Sequence, residues 1–236
     1  MTAQIGDSVN YLGEAFDIAG IAGAGLFNPI EHGVHPWAFT TACRRGFHCK
    51  YLIEDEALFL TQINIGLIAH DVKRGVRLFG RVPETYPWSR DWVTSTLKHE
   101  NAPDSRFIGL REVMPFSGGI LLAREFIRDM YDRSWAYQPV YNHRVIHELI
   151  FENGRLIKAL DQSHRGAELR MQILKKESLE QEHANRQITL RVKQRTFFRT
   201  LTNIFGKRRV HSKPISSCID VELEEWLASY SLAYLG

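Results

Sequence analysis

Two stretches of the chain constrain its fold more than any other feature. Residues 47–63, FHCKYLIEDEALFLTQI, place apolar side chains on both sides of Glu54-Asp55-Glu56, and residues 145–160, VIHELIFENGRLIKAL, do the same around Glu152-Asn153-Gly154. A short polar tip between two apolar or alternating runs is the pattern of a β-hairpin. Asn153-Gly154 is the stronger turn signal, because both residues tolerate the positive φ of a type I′ turn. One hairpin is therefore expected in each half of the chain.

The two stretches also lie at a constant offset. Shifted by 98 residues, Leu12, Glu14 and Gly20 fall on Leu110, Glu112 and Gly118, Trp37-Ala38 falls on Trp135-Ala136, and Glu54 and Leu58 fall on Glu152 and Leu156. Apolar character persists where identity does not, as in Ile53 with Phe151 and Phe59 with Ile157. Self-similarity at a fixed period is the signature of an internal repeat, so a tandem duplication is one expectation. The halves differ upstream of the hairpins. GILLAREFIRDMY puts Ile120, Leu121, Phe126, Ile127, Met130 and Tyr131 on a broad helical face, whereas AGAGLFNPIEHG is rich in glycine and reads as loop.

The fold class expected is α+β, with two β-rich units followed by a helical C-terminal region. The first unit is assigned to residues 1–67 and the second to 109–165. Residues 68–108 form a Pro- and Trp-rich connection broken by Pro83, Pro87 and Pro103, in which Trp88, Trp92 and Leu97 indicate one short helix. From residue 166 onward good helix formers dominate, with Leu169, Ile173 and Leu174 as an apolar stripe. Ile188, Leu190 and Val192 alternate with polar residues and fit either a strand or a continuing helix. A second helix is expected over 195–205, ended by Gly206, and a last one from Asp220, whose carboxylate suits an N-cap.

Charge is distributed unevenly along this plan. The whole chain of 236 residues carries a formal +3, yet residues 186–213 hold nine Lys and Arg and no acid, while residues 214–236 hold four acids and no Lys or Arg. A local excess of one sign marks an interaction surface more than a solubility device. Three cysteines argue against a disulfide framework. The N-terminus has no basic region leading into an apolar core, and the apolar run 18–27 is far shorter than the roughly 20 residues that span a bilayer. A cytoplasmic protein without a transmembrane segment is the expectation.

Two groups of side chains have the composition of a reactive site. His32, His35, Cys43 and Cys49 are of the soft-ligand type, but their order and C-x5-C spacing match no common zinc module. They are the candidates if metal is bound; no metal or cofactor is expected. His143 and His147, four residues apart, together with Asp161 across the hairpin tip, are the candidates for a metal-assisted hydrolase, because histidine titrates near neutral pH. Their order is not that of a zinc-protease helix, and no nucleophile elbow or phosphate loop is present.

With no coherent catalytic motif, the basic region carries the functional reading. The expectation is a non-catalytic binding or adaptor protein. Nucleic acid is its favoured external ligand, contacted by Arg191, Lys193, Arg195, Arg199, Lys207, Arg208, Arg209 and Lys213. Cations in an acid-free run concentrate phosphate contacts and release counterions, and Phe197, Phe198, Phe205 or His211 offer rings for stacking on unpaired bases. The alternatives are the hydrolase above and a structural subunit that uses the same surface for a protein partner or self-association. A membrane surface is the least favoured partner.

Overall fold

A computed structural model describes residues 2–23, 26–38, 40–85, 102–202, 226 and 230. The chain divides into two compact units, residues 1–166 with 228–236, and residues 167–227. Lys207, Arg208, Arg209, Lys213, Gly206, the tryptophans at 88 and 92, and Asp220 lie outside the described residues.

Among the described residues, the first unit is a ten-stranded sheet. In chain order its strands are β1 (Ser8–Tyr11), β2 (Glu14–Gly23), β3 (Phe47–Glu54), β4 (Ala57–Leu67), β5 (Glu84–Thr85), β6 (Ala102–Phe107), β7 (Glu112–Val113), β8 (Gly118–Phe126), β9 (His143–Glu152) and β10 (Arg155–Asp161). A one-turn helix, α1 (Ala69–Lys73), follows β4, and a forty-residue helix, α2 (Ser163–Thr202), follows β10. The architecture is α+β, as expected.

The spatial order is β10-β9-β8-β2-β1-β3-β4-β6-β5, and β10 also pairs with β4. Seven strands therefore form a closed circuit. The circuit closes at the hairpin tips, through the single pair Arg155 with Ala57, and encloses one interior to fill. Phe16, Ile18, Ile21, Tyr51, Leu58, Leu60, Ile63, Ile120, Leu122, Leu149 and Phe151 fill it, all buried. The outer edge of β4 is shared along its length, by β10 at Ala57, by β7 at Phe59 and Leu60, and by β6 from Ile63 to Leu67.

Both expected hairpins form, β3–β4 and β9–β10, each antiparallel. Their central turn residues all have positive φ: Asp55 at 50°, Glu56 at 60°, Asn153 at 46° and Gly154 at 81°. The two tips meet. Leu58 N donates to Gly154 O at 3.0 Å, and Leu156 N donates to Glu56 O at 2.6 Å. Leu58 and Leu156, like Glu56 and Gly154, are 98 residues apart, so the exchange is reciprocal under the sequence offset. The β2–β8 ladder has the same property, because Gly20 pairs with Leu121 and Gly23 with Gly118, while Ile21 pairs with Ile120 and Ala22 with Gly119. Strand β1 departs from it. It lies between β2 and β3, whereas β8 and β9 pair directly.

Residues 119–126, expected as part of a helix, belong to strand β8. Ile120 to Ala123 are all buried, because β8 is flanked by β2 and β9 and covered on both faces. A strand buried on both faces reads as a continuous apolar run, which period alone cannot separate from a helix. The Pro- and Trp-rich connection supplies α1, β5 and β6. Residues 188–192 continue α2, the helical one of their two readings, and one helical backbone runs through Thr202 where a separate second helix was expected from residue 195. In the second unit, Leu169 and Trp226 are buried.

Candidate functional site

The histidines and the aspartate proposed for hydrolysis fall on the second hairpin, and two of the three meet. Asp161 and His147 are cross-strand partners. His143 is buried instead, with Nδ1 3.3 Å from Val140 O and its ring 5.3 Å from that of Phe126. His147 sets its ring edge-on to Phe16 at 5.4 Å and Tyr11 at 5.9 Å. Asp161 Oδ1 accepts from Ser163 N at 2.8 Å, which turns the chain into α2. The Ser163 hydroxyl and amide hold the Asp161 carboxyl below the usual carboxylate range, and His147 adds to the effect. Each of these groups thus has a structural task in the hairpin.

The four soft-ligand candidates are divided among three environments. His32 stacks on Phe27 at 5.0 Å and lies 4.8 Å from Phe79. Cys43 and Cys49 are buried beside an ion pair between Asp7 and Arg45, and Asp7 also accepts from Cys49 N at 2.6 Å. Burial pushes both thiols up, with Asp7 adding to the rise at Cys49, so neither is poised as a thiolate. Among the described residues, no three His, Cys, Asp or Glu side chains gather as a metal site.

His35 belongs to a cluster that the sequence reading did not anticipate. Asp71, on α1, has a side chain with no solvent exposure, and four N–H groups converge on it. They are His35 N at 2.6 Å, His35 Nδ1 at 3.2 Å, His70 Nδ1 at 3.4 Å and Arg74 Nε at 3.0 Å. Burial alone raises a carboxyl, but here the His35 amide, the two imidazoles and Arg74 outweigh it and hold Asp71 below its ordinary value. A carboxylate only accepts, so both Nδ1 atoms carry the hydrogen and Nε2 of each ring is left for solvent or a ligand. The His35 side chain is 50% exposed and that of His70 is 73% exposed.

The surroundings of this cluster are basic. Asp71 is the one acid in residues 68–83, beside Lys73, Arg74, Arg77 and Arg81. All four cations are exposed while the acid is buried and compensated. Arg74 also donates to Gly33 O, and Arg77 Nη1 to Gly80 O at 3.1 Å, which ties the segment to itself and to the loop before β3. The available signal was this acid-poor composition; the missing information was that His35, 36 residues upstream, shares the carboxylate.

Of the expected nucleic-acid contacts, Arg191, Lys193, Arg195 and Arg199 fall on the helical backbone of α2. Arg191, Arg195 and Arg199 recur every four residues, the spacing of one row along a helix, and Lys193 is off that row. The last acid of α2 is Glu182. No helix among the described residues is long and apolar enough to cross a membrane. No family model, no curated protein and no solved structure matches the chain.

Proposed function

We propose that the chain is a non-catalytic nucleic-acid-binding protein that contacts phosphates along the C-terminal half of α2. The observation that carries this reading is the unbroken course of that helix beyond its last acid, which sets Arg191, Arg195 and Arg199 in one row. At a rise of 1.5 Å per residue the row extends over about 12 Å. Each phosphate neutralised releases counterions, so a row of cations raises affinity and makes it steeply dependent on salt. Lys73, Arg74, Arg77 and Arg81, exposed along a segment whose one acid is buried, favour the same class of ligand.

Affinity of the full chain for single- and double-stranded DNA and RNA, measured against salt, tests this. In Arg191→Glu/Arg195→Glu/Arg199→Glu the slope of log affinity against log salt should fall by about 2.7 on duplex DNA, or about 2.1 on a single strand. Unchanged affinity and slope in that variant, and in a charge-reversed Lys207, Arg208, Arg209 variant, would overturn the proposal.

The reciprocal contacts between Glu56, Leu58, Gly154 and Leu156, and the self-consistent β2–β8 register, further support reading the sheet unit as two tandem copies of one hairpin module. Homologous sequences in which the halves match no better than chance would refute that reading.

A further inference from the structure

The sheet face turned away from the core carries a strip in which two positions lack side chains. Gly20 of β2, Leu121 of β8 and Glu148 of β9 are cross-strand neighbours. Gly119 lies two residues from Leu121 along β8, on the same face. Across this strip lies Tyr230. A Cβ built on Gly20 would come 2.9 Å from Tyr230 Cβ, and one built on Gly119 would come 2.6 Å from Tyr230 Oη and 3.0 Å from Cε1. The Tyr230 side chain therefore occupies the volume that side chains would take, with its Cβ at position 20 and its ring and hydroxyl at position 119.

Its hydroxyl has a dedicated partner. Tyr230 Oη donates to Glu148 Oε1, while the other Glu148 oxygen accepts from Gln162 Nε2. Burial, then Glu148 itself, pushes the phenol pKa up, so the group at this position is the neutral O–H donor. Leu121, 1% exposed, supplies an apolar base between the two glycines and the carboxylate. Tyr230 itself is partly exposed.

We propose that Gly20, Gly119, Leu121 and Glu148 form a recognition slot for a para-substituted phenol, held in this structure by the chain's own Tyr230. The glycines select a flat ring, and Glu148 selects a hydroxyl over a bare phenyl. A half-buried carboxylate left unpaired discriminates against the analogue that lacks the donor. A phenolate or a phosphorylated ring would set negative charge against Glu148 and is excluded on the same ground. The ligand class is thus a 4-alkylphenol, either free or as the tyrosine side chain of a peptide. An internal occupant competes at the high effective concentration of a tethered group, so an outside phenol enters when Tyr230 leaves. This inference is independent of phosphate binding by α2.

The test uses full-length protein with p-cresol, toluene and N-acetyl-tyrosinamide as probes, read by thermal shift and by ligand-observed NMR. Tyr230→Ala should bind p-cresol, with toluene weaker by about tenfold, and wild type should bind neither over the same range. Binding of N-acetyl-tyrosinamide equal to that of p-cresol assigns the slot to peptide tyrosine, and p-cresol alone assigns it to free phenols. Adding Gly119→Val should abolish binding, and adding Glu148→Ala should erase the preference over toluene. If Tyr230→Ala does not fold, Tyr230→Phe serves, since its weakened occupant should bring p-cresol binding into a concentration range where wild type shows none. A folded Tyr230→Ala that takes up no p-cresol, or a Tyr230→Phe identical to wild type, overturns the proposal.

Discussion

The two hairpins of the sheet unit reach one geometry from unequal sequences. At the β9–β10 tip the left-handed positions hold Asn153 and Gly154, the pair best suited to them; at the β3–β4 tip they hold Asp55 and Glu56, of which Glu56 is poorly suited. What holds the poorer turn is the neighbouring tip, through the paired hydrogen bonds of Leu58 and Leu156. The helices that follow diverge further. After β4 comes α1 with its buried Asp71, and at the matching position of α2, 98 residues on, stands the buried Leu169. One buried position holds a charge satisfied by four donors, and the other holds a hydrocarbon. The lesson is that the place of a buried position after a hairpin leaves its chemistry open.

The largest effect that would break this comparison is expected at Gly154. Its φ is +81°, and an added Cβ would stand 2.2 Å from Met114 O, a backbone atom that cannot swing away. Gly154→Ala should lower stability by about 3 kcal/mol or more, measured by chemical denaturation. A loss under about 1 kcal/mol would mean that the tips are not locked together as described.

The contrast between Asp71 and Leu169 is sharpened by pH. The folded-state pKa of Asp71 lies below its unfolded value, so its contribution is present above roughly pH 4 and is lost as pH falls through the folded value. Asp71→Asn should cost on the order of 1–2 kcal/mol at neutral pH, with the gap to wild type closing on acidification. Parallel stability curves from pH 7 down to pH 2 would show that the carboxylate charge contributes nothing. The smallest effect belongs to the weaker turn. Asp55→Asn with Glu56→Gly should raise stability by about 0.5–1 kcal/mol, even with loss of the exposed Glu56–Arg155 pair at 2.8 Å. A fall in the melting midpoint would show that Glu56 matters more for that pair than for its strained backbone.

Much of the sheet was legible from sequence where the signal is local. The tips at 55–56 and 153–154 show in the alternation around them, and the offset of 98 residues joins positions that do touch. Strand β8 was not legible, because Ile120 to Ala123 are buried on both faces and lack the alternation of a half-exposed strand. The Asp71 cluster was half legible. An acid alone among four cations is visible, but its main donors include His35, brought in from before β3. The Tyr230 slot was invisible, since Gly20, Gly119, Leu121, Glu148 and Tyr230 are gathered from four distant segments.

By itself, then, the sequence determined the local elements: hairpins where turn residues interrupt apolar runs, helix after residue 163, and an acid-free basic row beyond Glu182. Those features depend on near neighbours, whose steric and charge preferences act over a few residues. Only the tertiary structure decided that β10 returns to β4, that Asp71 holds two imidazoles, and that Tyr230 lies on bare glycine backbone. Each of these requires chain segments far apart in sequence to bury apolar surface together. The gain from that burial belongs to the assembled sheet as a whole and to no single stretch within it.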